Sequence, residues 1–225
     1  MAVYGISDLH LALDVPEKTM EKFGWKGYME QIRENWTDTV GEDDTVIIAG
    51  DISWQLKYSS VSKDLDYLKS LPGKKILVRG NHDFWWRREA TGKIQKEMPD
   101  NIFMLMGKSV CINDIWFCGT RGWRIEQGVN EEASKKIFDR EIKYLKRALE
   151  EVPEGKYKVA VLHYPPFNED MSYNVFSVCA REYGADMIVY GHIHGGEYIE
   201  GNISGVEYRY IASDGIKFRP KLLLP

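Results

Sequence analysis

Five short apolar runs of the sequence each end directly in aspartate, asparagine or histidine. All five histidines of the chain stand at such ends. The ends are, in chain order, Ser7-Asp8-Leu9-His10, Gly50-Asp51, Gly80-Asn81-His82-Asp83, His163 and Gly191-His192-Ile193-His194. Carboxylate and amide oxygens and neutral imidazoles are the ligands that Mn, Fe and Zn prefer. The pattern predicts a metal site in which a shared carboxylate joins two ions, an arrangement that activates water for displacement at phosphorus.

The runs that precede these residues have the composition of buried strands. They lie at 3–6, 45–49, 75–78, 158–162 and 187–190, and they are apolar throughout, as in strands covered on both faces. Turn residues predict hairpins within 109–119 and 197–212. Apolar residues three and four apart predict helices at 28–40, 61–71, 130–151 and 175–183. Alternating strands and helices indicate an α/β domain, in which the carboxyl ends of several strands can converge on one crevice.

Length and composition predict one globular domain over residues 1–225. The chain carries 30 lysines and arginines against 34 acidic residues, a net charge of -4, which disfavours a general nucleic-acid binder. No apolar run approaches the roughly 20 residues of a membrane span, and the N-terminus lacks the basic region of a signal peptide. The three cysteines form no CxxC pair. We therefore expect a cytoplasmic protein in a reducing compartment, with no membrane partner.

Taken together, the five blocks resemble the signature of the calcineurin-like metallophosphoesterases. They stand in that family's order and extend over nearly the whole chain. The resemblance implies a four-layer α/β/β/α sandwich of two mixed β-sheets flanked by helices, with the metal site at the C-terminal ends of strands. It also implies two divalent or trivalent transition-metal ions as cofactors, with manganese preferred over iron and zinc.

The same resemblance assigns roles to the block residues. It implies these ligand sets: Asp8, His10 and His194 for the first metal; Asn81, His163 and His192 for the second; and Asp51 as the bridge, together with the hydroxide that attacks phosphorus. His82 would face the substrate and protonate the leaving alkoxide. Its neighbour Asp83 would orient or tune that imidazole, as carboxylates commonly do for histidine.

Around the blocks, the sequence departs from the protein serine/threonine phosphatase branch. The Gly50-Asp51 block is not followed by that branch's Asp-Arg pair, and the third block ends in Asp83 where that branch has glutamate. The missing arginine argues against protein dephosphorylation. Arg121 is the candidate replacement, because arginine contacts phosphate bidentately; an ordinary structural ion pair is the alternative.

Further substrate contacts are predicted from residues beside the ligands. Asn81 itself, Trp54 and Tyr164 are candidates for lining the substrate pocket. Two readings stay open for the aromatic pair Trp85 and Trp86: they stack on a ring of the substrate, or they pack beneath the site.

The leading hypothesis is hydrolysis of a phosphomonoester or phosphodiester of a small organic molecule. A metal-dependent nuclease is the first alternative, disfavoured by the acidic net charge. A non-catalytic scaffold of the same fold is the second, disfavoured because every ligand position is filled. The sequence leaves the natural substrate, the choice between mono- and diester, the metals and the oligomeric state open.

Overall fold

A computed structural model describes residues 1–125 and 130–225. In the described part of the chain, five α-helices, four short 3-10 helices and eleven strands are found. The helices are α1 Tyr28–Thr39, α2 Ser62–Ser70, α3 Thr91–Glu97, α4 Glu131–Glu150 and α5 Val175–Glu182. The strands are β1 Val3–Ile6, β2 Thr45–Ala49, β3 Lys74–Val78, β4 Ile102–Leu105, β5 Lys108–Ile112, β6 Ile115–Thr120, β7 Tyr157–Leu162, β8 Met187–Tyr190, β9 Gly201–Ile203, β10 Val206–Tyr210 and β11 Lys221–Leu224.

The strands form two mixed sheets. The first has the order β11-β1-β2-β3-β4, and the second has the order β5-β6-β7-β8-β10-β9. In the first sheet β1 to β4 are parallel and β11 is antiparallel to β1. In the second sheet β6, β7, β8 and β10 are parallel, while β5 and β9 pair antiparallel at the two edges.

Alternating side chains of each strand pack into different layers. In β2, Val46 and Ile48 contact the apolar faces of α1, α2 and α3, whereas Ile47 and Ala49 face the second sheet. A separate cluster joins the outer face of the second sheet to α4 and α5. Because both faces of the central strands are covered, these strands need apolar residues at every position. The predicted four-layer α/β/β/α sandwich is confirmed.

The predicted elements are all present: the five strands and four helices differ by at most one residue at either end, and the hairpin expected within 197–212 is formed by β9 and β10 over 201–210. The 109–119 hairpin turns at Asn113 and Asp114, which both have positive φ (52° and 66°), as the tight hairpin turn requires. Sequence reasoning missed α3, β4 and β11, which are seven, four and four residues long. Among the described residues, no helix is long and apolar enough to cross a membrane.

Candidate metal centre and active site

The five predicted blocks follow five strands that run in parallel within their sheets. The first three blocks follow β1, β2 and β3, and the last two follow β7 and β8. Since parallel strands end at the same edge of a sheet, the five loops meet at one end of the sandwich. All seven predicted metal ligands lie there, in two neighbouring groups.

The first group consists of Asp8, His10 and His194, whose donor atoms lie within 4.8 Å of one another. Asp8 Oδ1 lies 3.5 Å from His194 Nε2. Asp8 Oδ1 and His10 Nδ1 are both buried and have no hydrogen-bond partner among the described residues. Burial also lowers the pKa of His10 to about 3, so its ring is neutral. A neutral imidazole and a carboxylate oxygen left without donors are what a cation would bind.

The second group consists of Asp51, His163 and His192, with Asn81 beside them. His163 Nε2 lies 2.7 Å from Asn81 Oδ1 and 3.1 Å from His192 Nδ1. The other nitrogen of His163, Nδ1, lies 2.9 Å from the carbonyl oxygen of Ala49, to which it must donate. In the tautomer with a single proton at Nδ1, the lone pair of Nε2 points toward the amide oxygen of Asn81. A cation bound to both atoms would relieve the repulsion between these two acceptors.

Asp51 lies between the two groups. Its Oδ2 is 3.8 Å from His10 Nε2 and 3.5 Å from His163 Nε2, and its Oδ1 accepts a hydrogen bond of 2.8 Å from the backbone N–H of His82. Burial raises the pKa of Asp51 to about 7, against the opposing effect of His163. A buried carboxylate with so few donors is stabilised in its charged form by a nearby cation.

The backbone at the site is held in an unusual conformation. Asp8, His10, Asp51 and His192 all have positive φ, between 44° and 72°. Non-glycine residues adopt this region at a cost, and they do so mostly at functional sites. Close approach explains one of the neighbouring glycines: a Cβ on Gly80 would lie 2.1 Å from Asp51 Oδ1.

The donor set fits a pair of first-row transition-metal ions. Oxygen and imidazole donors without thiolates suit Mn, Fe or Zn, and donor atoms about 3 Å apart match metal–ligand bonds of about 2.1 Å. Asp8, His10 and His194 would hold one ion, and Asn81, His163 and His192 the other. Asp51 is placed to contact both.

A cavity of about 470 Å³ opens in front of this centre, and His82 lines it. The ring centroid of Trp54 lies 4.4 Å from that of His82 and 4.8 Å from that of His10, on which it stacks. Phe84 is half exposed, with its ring 6.4 Å from His82 and edge-on to it. Burial lowers the pKa of His82, and His163 adds to this, while Asp83 and Asp8 oppose it.

Asp83 is fully buried, and its carboxylate faces backbone donors. Oδ1 accepts hydrogen bonds from the N–H groups of Ile52 and Ser53 and from Trp85 Nε1, and Oδ2 accepts one from Gly80. None of the described hydrogen bonds joins Asp83 to the His82 ring. Asp83 thus ties the loop after β2 to the loop after β3, and so fixes where both loops present their side chains.

The other predicted substrate contacts lie at different depths. Tyr164 is buried with its ring 4.2 Å from that of His192. Arg121 is buried, packs over the ring of Trp123 and lies 4.0 Å from Glu141, in a cluster with Arg79 and Arg140 rather than in the cavity lining. The reading as a structural ion pair matches this position.

The aromatic pair after the third block lies in the core. Trp85 and Trp86 are 1% and 0% exposed and belong to the cluster beneath the first sheet. Their position matches packing beneath the site and leaves them no surface for stacking on a ligand.

Two residues at the site carry no signal in the sequence. Asp214 accepts a hydrogen bond of 2.9 Å from His194 Nδ1, and Trp25 packs edge-on against His194 at 5.2 Å. Asp214 follows β10, outside the five blocks, and Trp25 lies in the loop before α1. Only the folded chain brings them to the site.

Comparison with known proteins identifies the class. A model of the calcineurin-like phosphoesterase family matches residues 1–196. The chain therefore belongs to that family, which places it among the metal-dependent phosphoester hydrolases.

Individual relatives are distant. The Gene 66 protein of Mycobacterium phage D29 is 36% identical over 83 residues, a match that spans 36% of this chain and 40% of that protein. The fold is similar to that of phosphopantetheinyl hydrolase from Mycobacterium tuberculosis, with a TM-score of 0.61 and 15% identity over 100% of this chain and 96% of the other. Protein AQ665 of unknown function from Aquifex aeolicus has a TM-score of 0.51 and 19% identity over 98% and 95%.

Proposed function

We propose that the protein hydrolyses phosphate esters of a small organic alcohol at a centre of two metal ions. One observation carries this proposal: Asp51 stands between two groups of candidate ligands, and Asp8 Oδ1 and His10 Nδ1 are buried without a hydrogen-bond partner among the described residues. Two ions bound there would activate a water molecule and neutralise charge on the phosphoryl oxygens. The proposal covers both monoesters and diesters, with manganese as the preferred metal over iron and zinc.

The side chains of the protein would position the ester and handle its proton. His82 lies at the cavity wall beside the centre, where it can donate a proton to the oxygen of the departing alcohol. Burial lowers the pKa of free His82, but an arriving phosphoryl group is negative and favours the protonated ring. Trp54 packs against both His82 and His10 and so fixes the distance between the acid and the centre.

We extend the proposal to the roles of individual residues. We assign metal binding to Asp8, His10, Asp51, Asn81, His163, His192 and His194, and proton donation to His82. Asp83 supports the site through the two loops that it joins. Asn81, Trp54 and Tyr164 are proposed to contact the substrate. Arg121 would act on the substrate only if its side chain left the pair with Glu141.

The organisation of the chain is part of the same proposal. A single domain over residues 1–225 is supported by the pairing of β11 with β1, which joins the two ends of the chain in one sheet. A cytoplasmic location is supported by the three cysteines, Cys111, Cys118 and Cys179, which are all free.

Side-by-side hydrolysis of a chromogenic phosphomonoester and the matching diester, with added manganese, tests the proposal. We expect turnover by the wild type, abolition by a chelator and recovery on adding metal back. We expect His82→Ala to lower kcat by about 10² to 10⁴-fold, the range of general acid catalysis, while binding the same number of ions. Exposed Lys57→Ala serves as the control variant. A protein that binds two ions per chain and hydrolyses neither ester would contradict the proposal.

A further inference from the structure

The cavity in front of the centre has an aromatic and apolar wall. Besides the candidate ligands and His82, its lining includes Met20, Phe23, Trp25 and Trp54. We infer that this wall binds the leaving group of the substrate, and that this group is an uncharged alcohol bearing an aromatic ring. The inference rests on the proposed function and narrows it to one class of substrate.

The position of His82 determines which side of the centre takes the leaving group. A general acid must lie within hydrogen-bond reach of the oxygen that departs. His82 lines the aromatic cavity. A second cavity of about 460 Å³ lies on the other side of His192, where Arg124 and Tyr198 line it and His82 does not. The departing alcohol therefore occupies the cavity that holds His82.

Two rings of the lining, Trp54 and Phe23, offer surface to an aromatic group, while the third, Trp25, is only 8% exposed. Trp54 stacks on His10 at 4.8 Å, and Trp25 packs edge-on against His194 at 5.2 Å, so both rings are fixed by candidate ligands. Phe23 stands at the rim with 73% of its surface exposed, the largest exposure of any large apolar residue in the described chain. An exposed ring beside a cavity gains free energy when a ligand ring covers it.

The charges around the cavity exclude an anionic leaving group. Apart from the candidate ligands and His82, the only titratable residue in its lining among the described residues is Asp214, which is acidic, and no lysine or arginine of that part of the chain lines it. Lys18 donates to the carbonyl oxygen of Trp54 and Lys22 to that of Glu17, so both are engaged outside the lining. A leaving group with its own phosphate or carboxylate would meet no counter-charge there, and burying an unpaired charge is costly. A nucleoside polyphosphate or a sugar bisphosphate fits this side poorly.

The space matches a ring-sized group. A cavity of about 470 Å³ lies within the range of small-molecule sites, which are also lined mainly by apolar and aromatic side chains. Water would fill such a cavity around a small alcohol, whereas a ring would displace water from the exposed surfaces of Trp54 and Phe23.

Three phosphomonoesters with the same type of leaving oxygen test the inference. 2-Phenylethyl phosphate, propyl phosphate and 2-carboxyethyl phosphate all release a primary alcohol, so differences in intrinsic reactivity are small. We expect kcat/KM for the phenylethyl ester to exceed that for the propyl ester by about tenfold, the factor given by about 1.4 kcal/mol of ring burial. The carboxyethyl ester should be the poorest. Equal values for the phenylethyl and propyl esters, or the best value for the carboxyethyl ester, would overturn the inference.

Matched variants locate the ring. Phe23→Ala should lower kcat/KM for the phenylethyl ester about threefold or more and lower it less for the propyl ester, so that the ratio of the two falls. Phe84→Ala, a change of another exposed phenylalanine near His82 but outside the cavity lining, should leave the ratio of the two esters unchanged. If Tyr198→Ala in the second cavity lowers the ratio and Phe23→Ala does not, the leaving group lies on the other side of His192 and the inference is wrong.

A binding measurement separates this inference from the proposed function. The phosphonate analogues of the phenylethyl and propyl esters are titrated by calorimetry into protein loaded with manganese. Tighter binding of the phenylethyl phosphonate supports the aromatic subsite even if no ester is hydrolysed, an outcome that would count against the proposed hydrolysis alone. Equal affinity of the two phosphonates overturns the aromatic subsite whatever the enzyme hydrolyses.

Discussion

The two groups of candidate ligands are held in place by different means. In the second group, His163 is fully buried and its Nδ1 donates to the backbone carbonyl of Ala49 in β2. In the first group, the side chain of His194 is 32% exposed and is oriented by another side chain, that of Asp214. Backbone support comes with the sheet itself, whereas the pair of His194 and Asp214 must form on a loop. His163 is therefore held more rigidly than His194.

This difference has a consequence for the assembly of the site. Preorganised ligands lose less conformational entropy on binding a metal, since their rotamers are already fixed. We expect the second group to keep its geometry when single contacts around it are removed. The first group should depend strongly on Asp214.

The largest effect is expected where the two groups meet. Asp51→Asn removes the carboxylate that lies within 4 Å of imidazole nitrogens from both groups, those of His10 and His163. We expect kcat to fall by about 10³-fold or more, a loss typical of removing a central electrostatic group, and metal content to drop below two ions per chain. Activity assays together with elemental analysis measure both.

The control for this substitution is Asp43→Asn, at an exposed carboxylate before β2. It should leave activity and metal content unchanged. Two tightly bound ions in Asp51→Asn would show that the two groups are independent and would remove Asp51 as their link.

The next largest effect is expected at Asp83, which joins the two loops that carry Asp51 and Asn81 of the second group. Asp83 accepts four hydrogen bonds from the loops after β2 and β3, and its carboxylate is fully buried. Hydrogen bonds to a charged group contribute about 1.5–3 kcal/mol each. Because neighbouring bonds are not additive, we expect Asp83→Ala to lower the free energy of unfolding by about 3–5 kcal/mol.

Urea unfolding of the metal-free protein measures the effect of Asp83→Ala directly. Asp66→Ala, at an exposed carboxylate of α2, is the matched control and should shift the free energy by less than about 0.5 kcal/mol. A loss below about 1 kcal/mol in Asp83→Ala would mean that the loops are held by other contacts.

Asp214→Asn should affect only the first group. Partners that orient a ligating histidine typically contribute 10- to 100-fold to metal affinity. We expect one of the two manganese dissociation constants to rise by about that factor and the other to stay within about twofold. Calorimetric titration separates the two sites, and Asp170→Asn, at an exposed loop carboxylate, is the control. Equal weakening of both sites would contradict the division of the centre into two halves.

Local patterns are enough to predict an α/β domain and the five blocks, whereas the four-layer sandwich is predicted from the resemblance to the family. Continuous apolar runs indicate strands covered on both faces, and the residues that follow each run are identified as candidate site residues at a strand end. α3, β4 and β11 escaped because they are short and their residues lack a clear period. The contacts of Asp83, Arg121 and Asp214 escaped for another reason. Each joins residues at least 20 positions apart or several loops at once, and only the tertiary structure brings such partners together.

The smallest effect is expected at the end of β3 away from the site. Lys75 is fully buried near the start of the strand, and its ammonium group donates to the carbonyl of Leu71. No carboxylate lies within 4 Å of it among the described ion pairs. Burial lowers the pKa of Lys75 to about 8. The buried ammonium group of Lys75 lowers the stability of the fold, whereas the buried polar groups of the candidate metal centre are available to bind metal ions.

Replacement of this lysine tests that contrast. Between about pH 8 and pH 10.5 the unfolded chain binds more protons at Lys75 than the folded chain does. The contribution of Lys75 to the free energy of unfolding therefore rises with pH across that window. Lys75→Met should therefore stabilise the protein at pH 7, by about 1–2 kcal/mol, and should lose the rise above pH 8. Urea unfolding of wild type and variant at pH 7, 8, 9 and 10 measures the difference. If the gain is as large at pH 10 as at pH 7, the effect comes from packing rather than from the buried charge.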